Sequence, residues 1–257
     1  MQKQDRPVAF FDSGLGGISV LRETVRLLPQ ENYLYYGDSL HAPYGVKSEA
    51  QIQALSLAAA EHLVSAGAKA IVVACNTATS AAIGELRARW PDRVIIGIEP
   101  ALKLAVSRHP GGCIGVLATE ATLREEKFAA LLQRCAENCH ILKCPCPELV
   151  EFVERGELDS PALTAYLARQ LGPYAGRVDA AVLGCTHFPF ARRAIRAALG
   201  GGVALYDGSD GTARETLRQL VRRGWVRGGS HGTVTLENSR PSELPLSRRL
   251  LALPRED

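Results

Sequence analysis

Two short stretches of this 257-residue chain are near-copies of each other, and their recurrence constrains the fold more than any other feature. One is Ala70-Ile-Val-Val-Ala-Cys75-Asn-Thr-Ala-Thr79 and the other is Ala180-Ala-Val-Leu-Gly-Cys185-Thr-His-Phe-Pro189. Each runs small and β-branched apolar residues into a cysteine, then into polar side chains, then into a helix-like stretch. A short, continuous apolar run is the signature of a strand buried on both faces, as in a parallel sheet covered by helices. The cysteine then falls at the strand's carboxyl end, where open α/β sheets hold their ligands.

The rest of the chain alternates strand and helix. Strand-like runs cover residues 8–12, 33–37, 70–75, 94–98, 113–118, 140–144, 180–185 and 203–207. Between them apolar residues recur at three and four, as in Ile18, Leu21, Val25 and Leu28 before Pro29. Other helical patterns cover 50–66, 78–90, 123–136, 161–171, 190–199 and 211–223. Such alternation predicts parallel strands joined by helical crossovers. Ser13 and Thr119 follow the first strands of two series, 106 residues apart; Cys75 and Cys185 follow the third, 110 apart; Gly97 and Asp207 close the fourth, again 110 apart. The expected fold is therefore α/β, with two pseudo-symmetric parallel-sheet domains and the active site in the cleft between them. Residues 1–98 form the first domain and 99–207 the second, the boundary lying where a strand ends before Pro100. Residues 208–257 read as a surplus helix and a loose tail rich in Gly, Ser and Pro that returns to the first domain.

Composition excludes several classes. With 46% hydrophobic residues and a mean hydropathy of −0.01, the chain reads as an ordinary globular protein. A formal net charge of +3 is too small to argue for nucleic acid. Arg192-Arg193 with Arg196, Arg222-Arg223 and Arg248-Arg249 lack interleaved aromatics and read as solvated helix faces. Residues 1–6 are polar and lead straight into a strand, so no signal peptide is expected. Lys69, Arg93 and Asp179 interrupt the apolar runs, so no membrane span is expected either. Seven cysteines, an odd number, point to reduced thiols in a cytoplasm.

The motifs carry the chemistry. Asp12-Ser-Gly-Leu-Gly-Gly-Ile-Ser19 is a strand-to-helix turn whose backbone N–H groups can hold an anion. It matches neither the dinucleotide pattern nor a P-loop, and its plainer reading makes Asp12 or Ser13 a helix cap. Gly37-Asp38 followed by Pro43-Tyr44-Gly45 reads as a strand end and a turn, whose amides around Tyr44 and Gly45 can bind a carboxylate. A buried strand cysteine is most often a small apolar filler. Cys75, followed by Asn76 and Thr77, instead lies beside a helix N-terminus that stabilises a thiolate. Cys185-Thr186-His187 repeats the arrangement and adds an imidazole. A packing cysteine has no reason to recur with its polar followers. Two opposed, weakly acidic groups can take a proton from one face of a carbon and return one to the other, which is the chemistry of a cofactor-free racemase. The rival cluster, Cys135, Cys139, Cys144 and Cys146, spans a helix end and a strand with poor ligand spacing, so no metal is expected.

These blocks carry a resemblance. Phe11-Asp-Ser-Gly-Leu-Gly-Gly-Ile-Ser-Val20, Gly37-Asp38 with Pro43-Tyr44-Gly45, Ala74-Cys-Asn-Thr-Ala-Thr79 and Leu183-Gly-Cys-Thr-His-Phe-Pro189 resemble, in order, the blocks of the glutamate racemases. Cys146-Pro-Glu-Leu-Val150 extends the match, and Glu154 aligns with an acidic residue of that family. The resemblance covers roughly residues 7–210. Ala118-Thr119 stands where the family usually has Gly-Thr, Glu151 where it has Pro, and the stretch after Gly228 matches poorly. The resemblance implies interconversion of L- and D-glutamate for peptidoglycan, without pyridoxal phosphate or metal, in a cytoplasmic homodimer. It makes Cys75 and Cys185 the acid and base, assisted by Asp12, His187 and Glu154. Ser13, Tyr44, Gly45, Asn76, Thr77, Thr119 and Thr186, with Asp12 and His187, would hold the ammonium and the two carboxylates. A racemase of the same superfamily acting on another small acid, such as aspartate, is the alternative.

Overall fold

The computed structural model describes residues 2–99, 101–119, 122–123 and 126–254. In chain order the elements are β1 (Val8–Asp12), α1 (Ile18–Leu27), β2 (Tyr33–Gly37), α2 (Glu49–Ser65), β3 (Ala70–Val73), α3 (Asn76–Arg89), β4 (Val94–Gly97), α4 (Leu102–Arg108) and β5 (Cys113–Ala118). There follow α5 (Glu126–Ala136), β6 (His140–Pro145), α6 (Leu149–Glu154), α7 (Pro161–Leu171), β7 (Ala180–Leu183), α8 (Arg192–Leu199), β8 (Ala204–Asp207), α9 (Ser209–Arg223), β9 (Val234–Asn238) and α10 (Leu244–Ala252). The expected helix over 123–136 includes residues 124 and 125, and the expected boundary includes Pro100; these lie outside the described residues. Among the described residues no helix is long and apolar enough to cross a membrane.

The chain divides into two compact units, one made of Met1–Glu99 with Ser209–Leu253, the other built on Pro100–Gly208. The first unit holds a five-stranded sheet in the order β4-β3-β1-β2-β9, every pair parallel. The second holds a four-stranded parallel sheet in the order β6-β5-β7-β8. Read from the other edge, the first sheet runs β9-β2-β1-β3-β4, so both units place their first and third strands side by side. The second strand lies beyond the first, and the fourth beyond the third. Strand order reverses between first and third strands, which is the switch point where such sheets bind ligands.

The correspondence extends to single backbone hydrogen bonds. The Ala74 N–H donates to Phe11 O at 2.8 Å, and the Gly184 N–H donates to Leu117 O at 2.7 Å. The Asp38 N–H donates to Asp12 O at 2.9 Å, and the Cys146 N–H donates to Ala118 O at 3.0 Å. Thus Asp12 matches Ala118, Ser13 matches Thr119, Asp38 matches Cys146, and Cys75 matches Cys185. Close approach at these strand ends excludes larger residues. A Cβ on Gly17 would sit 2.6 Å from Asp12 Cβ, and one on Gly184 would sit 2.8 Å from Leu117 O.

Burial explains why the strands read so clearly. All five residues of β1 and all four of β3 and β7 are buried, and each large apolar side chain so placed contributes about 1.5–3 kcal/mol. Both cysteine-bearing strands end two residues before their cysteine, at Val73 and Leu183, rather than at it. The tail departs from the expected loose segment. β9 joins the first sheet beside β2, pairing Tyr33 with Val234 through Gly37 with Asn238, and α10 packs on α1 and β9. The short helices α4 and α6 also lay outside the expected set.

Candidate active site

In the first unit Cys75 leaves β3 and becomes the N-cap of α3, its Sγ accepting the Ala78 N–H at 3.5 Å. A sulfur on the first turn of a fourteen-residue helix sits where the helix dipole and an amide N–H favour a thiolate. Ser13, on the turn after β1, brings its Oγ within 3.4 Å of the same sulfur. The Asp12 carboxylate is fully buried and accepts the Gly14 N–H at 2.9 Å. It therefore organises its own turn and does not cap α1, whose N-cap is Gly17. Tyr44 is buried in the core cluster that contains Cys75 and Phe11. Burial, then the nearby Asp38, holds its phenol well above the usual range, so the hydroxyl stays a proton donor. Gly45 follows it in a 3₁₀ turn, and Asn76 and Thr77 open α3.

The second unit supports its thiol differently. After β7 the chain makes a turn and a 3₁₀ segment, Phe188–Ala191, before α8 begins at Arg192. Cys185 is therefore not a helix cap, contrary to the expectation that both cysteines share that setting. Proline at position 189 and the apolar docking of Phe188 occupy the segment where the first unit already has helix. His187 fills the space instead. Its Nδ1 lies 3.6 Å from Cys185 Sγ, and its Nε2 lies 2.5 Å from Glu154 Oε1. Burial opposes a charge on this ring, yet the hydrogen bonds to Cys185 and Glu154 outweigh it and raise the pKa well above the ordinary value. These contacts favour the protonated ring and place it between Cys185 Sγ and the Glu154 carboxylate. Glu154 reaches it because Leu149, Phe152 and Val153 of α6 are buried, the first two in the cluster that holds Phe188.

The remaining expected residues fall at the same strand ends. Thr186 is buried beside Cys185. Thr119, the partner position of Ser13, accepts the Thr122 N–H at 3.3 Å. Glu151 is an exposed helix residue paired with Arg155. The rival cysteines separate into two core clusters, Cys135 with Cys139 and Cys144 with Cys146. Burial pushes Cys144 and Cys146 up to about 12, as expected of packing thiols. Asp38 is the residue that sequence reasoning passed over as turn punctuation. It is 3% exposed and accepts the Tyr44 hydroxyl at 2.8 Å, with His41 Nδ1 at 2.9 Å.

Each unit therefore carries one thiol beyond its third strand at the switch point, with polar groups against its sulfur. Such thiols can act as bases when ionised and as acids when protonated. The Asp/Glu/Hydantoin racemase family profile matches residues 15–216. The glutamate racemase of Clostridium perfringens strain ATCC 13124 is 46% identical over 254 residues, covering 97% of this chain and 98% of that protein. A crystal structure of Escherichia coli glutamate racemase, in complex with L-glutamate and the activator UDP-MurNAc-ala, is similar with a TM-score of 0.84 and 32% identity over 95% of each chain. The Francisella tularensis glutamate racemase structure with D-glutamate aligns with a TM-score of 0.83 and 25% identity, over 98% of this chain and 96% of that one.

Proposed function

This chain belongs to the Asp/Glu/Hydantoin racemase family, among its glutamate racemases, and on that premise we propose that Cys75 and Cys185 are its paired base and acid. The reaction is the cofactor-independent interconversion of L- and D-glutamate. The observation that carries the assignment is the recurrence of one thiol, at the same register position, in both units. An α-hydrogen beside a carboxylate is barely acidic, so the site must stabilise a developing carbanion with aimed dipoles and little water. In one direction the Cys185 thiolate takes the α-proton of L-glutamate, and the Cys75 thiol gives its proton to the opposite face. The enzyme is left with a Cys185 thiol and a Cys75 thiolate, poised for the reverse reaction, and exchange with solvent resets it.

His187 and Glu154 serve Cys185, and Asp12 serves the Cys75 side. Ser13, Tyr44, Gly45, Asn76, Thr77, Thr119 and Thr186 hold the ammonium and carboxylates through hydroxyls, amides and backbone N–H groups. The D-glutamate so made supplies peptidoglycan. We place the enzyme in the cytoplasm as a homodimer without a nucleic-acid partner; its seven free thiols support a reducing compartment.

A chiral assay of the purified, EDTA-treated protein tests the reading, with L-glutamate and L-aspartate offered separately and no cofactor added. D-glutamate should form, and hydroxylamine should not prevent it. Preferential formation of D-aspartate, or a requirement for metal, would overturn it.

A further inference from the structure

We propose that Asp38 is a positioning residue of the racemase reaction, clamping Tyr44 so that the Pro43-Tyr44-Gly45 turn presents its amides to a substrate carboxylate. The clamp rests on the glutamate reading above. Asp38 follows β2 directly, and its carboxylate is buried between two donors, the Tyr44 hydroxyl at 2.8 Å and His41 Nδ1 at 2.9 Å. A buried carboxylate is costly unless such donors compensate it. The fold does not require it. At the equivalent register position the second unit has Cys146, a fully buried thiol packed in an apolar cluster, its Sγ donating to Cys144 O at 3.6 Å. An apolar side chain therefore satisfies this position where no tyrosine turn follows.

What the carboxylate adds is a fixed point for Tyr44. The ring of Tyr44 packs against Phe11 at 6.1 Å in the cluster that includes Cys75. The ring is thus held by Phe11 and its hydroxyl by Asp38. The 3₁₀ turn Tyr44–Val46 is carried on that ring, while Val46 itself is 80% exposed and anchors nothing. Binding an anion through backbone N–H groups depends on such pre-organisation, because a mobile turn must first be ordered.

The test is steady-state kinetics of the full-length enzyme with both enantiomers, alongside thermal melts, for Asp38→Ala, Asp38→Asn and Tyr44→Phe. Loss of one charge-assisted hydrogen bond should raise KM about tenfold in Asp38→Ala and Tyr44→Phe, with kcat changed less than about threefold. Asp38→Asn keeps an oxygen to accept the Tyr44 hydroxyl and should restore most of the lost affinity. A purely structural Asp38 would instead lower Tm and leave KM alone, and that result would overturn the clamp. So would an Asp38→Asn enzyme as impaired as Asp38→Ala. If Asp38→Ala does not fold, Tyr44→Phe, which removes one hydroxyl, decides the matter alone. A wild-type enzyme that does not racemise glutamate would sink the underlying reading, and the clamp with it, before any variant is compared.

Discussion

The two units have the same strand order and the same hydrogen-bond register at the ends of their first three strands, yet they furnish their thiols by different means. In the first, Cys75 caps α3 and touches Ser13, so its sulfur rests on a helix N-terminus and a hydroxyl. In the second, a 3₁₀ segment displaces the helix start, and Cys185 rests on the His187 imidazole, which Glu154 holds in place. Asp12 has only Ala118 opposite it in the other unit, and His187 has only Thr77. The lesson is that a duplicated scaffold fixes where a reactive group sits, while the loops after each strand decide its electrostatics.

The largest effect should come from removing either thiol. Cys75→Ala and Cys185→Ala should each slow racemisation by at least about 10³-fold in both directions, since each direction needs one group to take and one to give. Glutamate binding, followed by calorimetry, should survive in both variants. One variant racemising near the wild-type rate would break the equivalence of the two units.

A second difference lies at the opposite strand ends. Lys69 and Asp179 occupy matching positions, their N–H groups bonded to Pro7 O and Cys113 O. The Lys69 ammonium is buried against Glu31 and also donates to Gln4 O and Trp225 O, tying the returning tail to its unit. Asp179 instead accepts the Cys113 N–H at 2.8 Å. Lys69→Met should cost about 3–5 kcal/mol of stability by leaving Glu31 buried without its cation. Its KM should not move, because Lys69 precedes β3 and Cys75 follows it, at opposite ends of the strand. Denaturant titration and kinetics on the same preparation would check both halves.

His187→Asn sharpens the comparison at the site. It should lower kcat about 10²-fold and slow the alkylation of Cys185, leaving that of Cys75 in place. Peptide mass spectrometry after iodoacetamide pulses separates the two sulfurs. Since the equilibrium between enantiomers in water is one, kcat/KM stays equal in both directions in every variant; asymmetry must be sought in kcat and in alkylation. Stability carries the same signature. The folded pKa of His187 is raised, so its contribution is full below the unfolded value of 6.5 and is lost as pH rises through the folded value. The Tm gap between wild type and His187→Asn should be widest at the acid end of that range and close as pH rises.

The smallest effect should follow from Ser13→Ala. Cys75 keeps the Ala78 N–H, so loss of the hydroxyl should slow turnover about three- to tenfold and move only Cys75 alkylation.

Much of this was legible in the sequence, for physical reasons. β1, β2 and β5 have the bounds read from their apolar runs because burial on both faces leaves no polar interruption. Helix α7 was legible to the residue because Ser160 caps it and Pro161 opens it. β9 was hidden because an edge strand is only half buried, and its five residues sit in a Gly- and Ser-rich setting that mimics a loop. The six-residue α6 was too short to show a period, so Glu154 was named through family likeness and its contact with His187 emerged from the packing of Phe152 and Leu149. The setting of Cys185 was misread because near-identity with the Cys75 segment suggested an immediate helix, which Pro189 and the docking of Phe188 prevent. Asp38 was legible as part of a block but not as a hydrogen-bond partner, because which side chains an irregular turn folds back onto a carboxylate three and six residues away leaves no periodic signal.

The most direct test of the two-thiol account is racemisation of L-glutamate in D2O, stopped early and read by mass spectrometry of the separated enantiomers. A thiol carries one proton, so the base that takes hydrogen from L-glutamate keeps it while the opposite thiol delivers deuterium. D-glutamate should therefore carry solvent deuterium while recovered L-glutamate carries almost none. Deuterium accumulating in L-glutamate as fast as in D-glutamate would mean one base serving both faces, and would contradict the assignment of Cys75 and Cys185 as a pair.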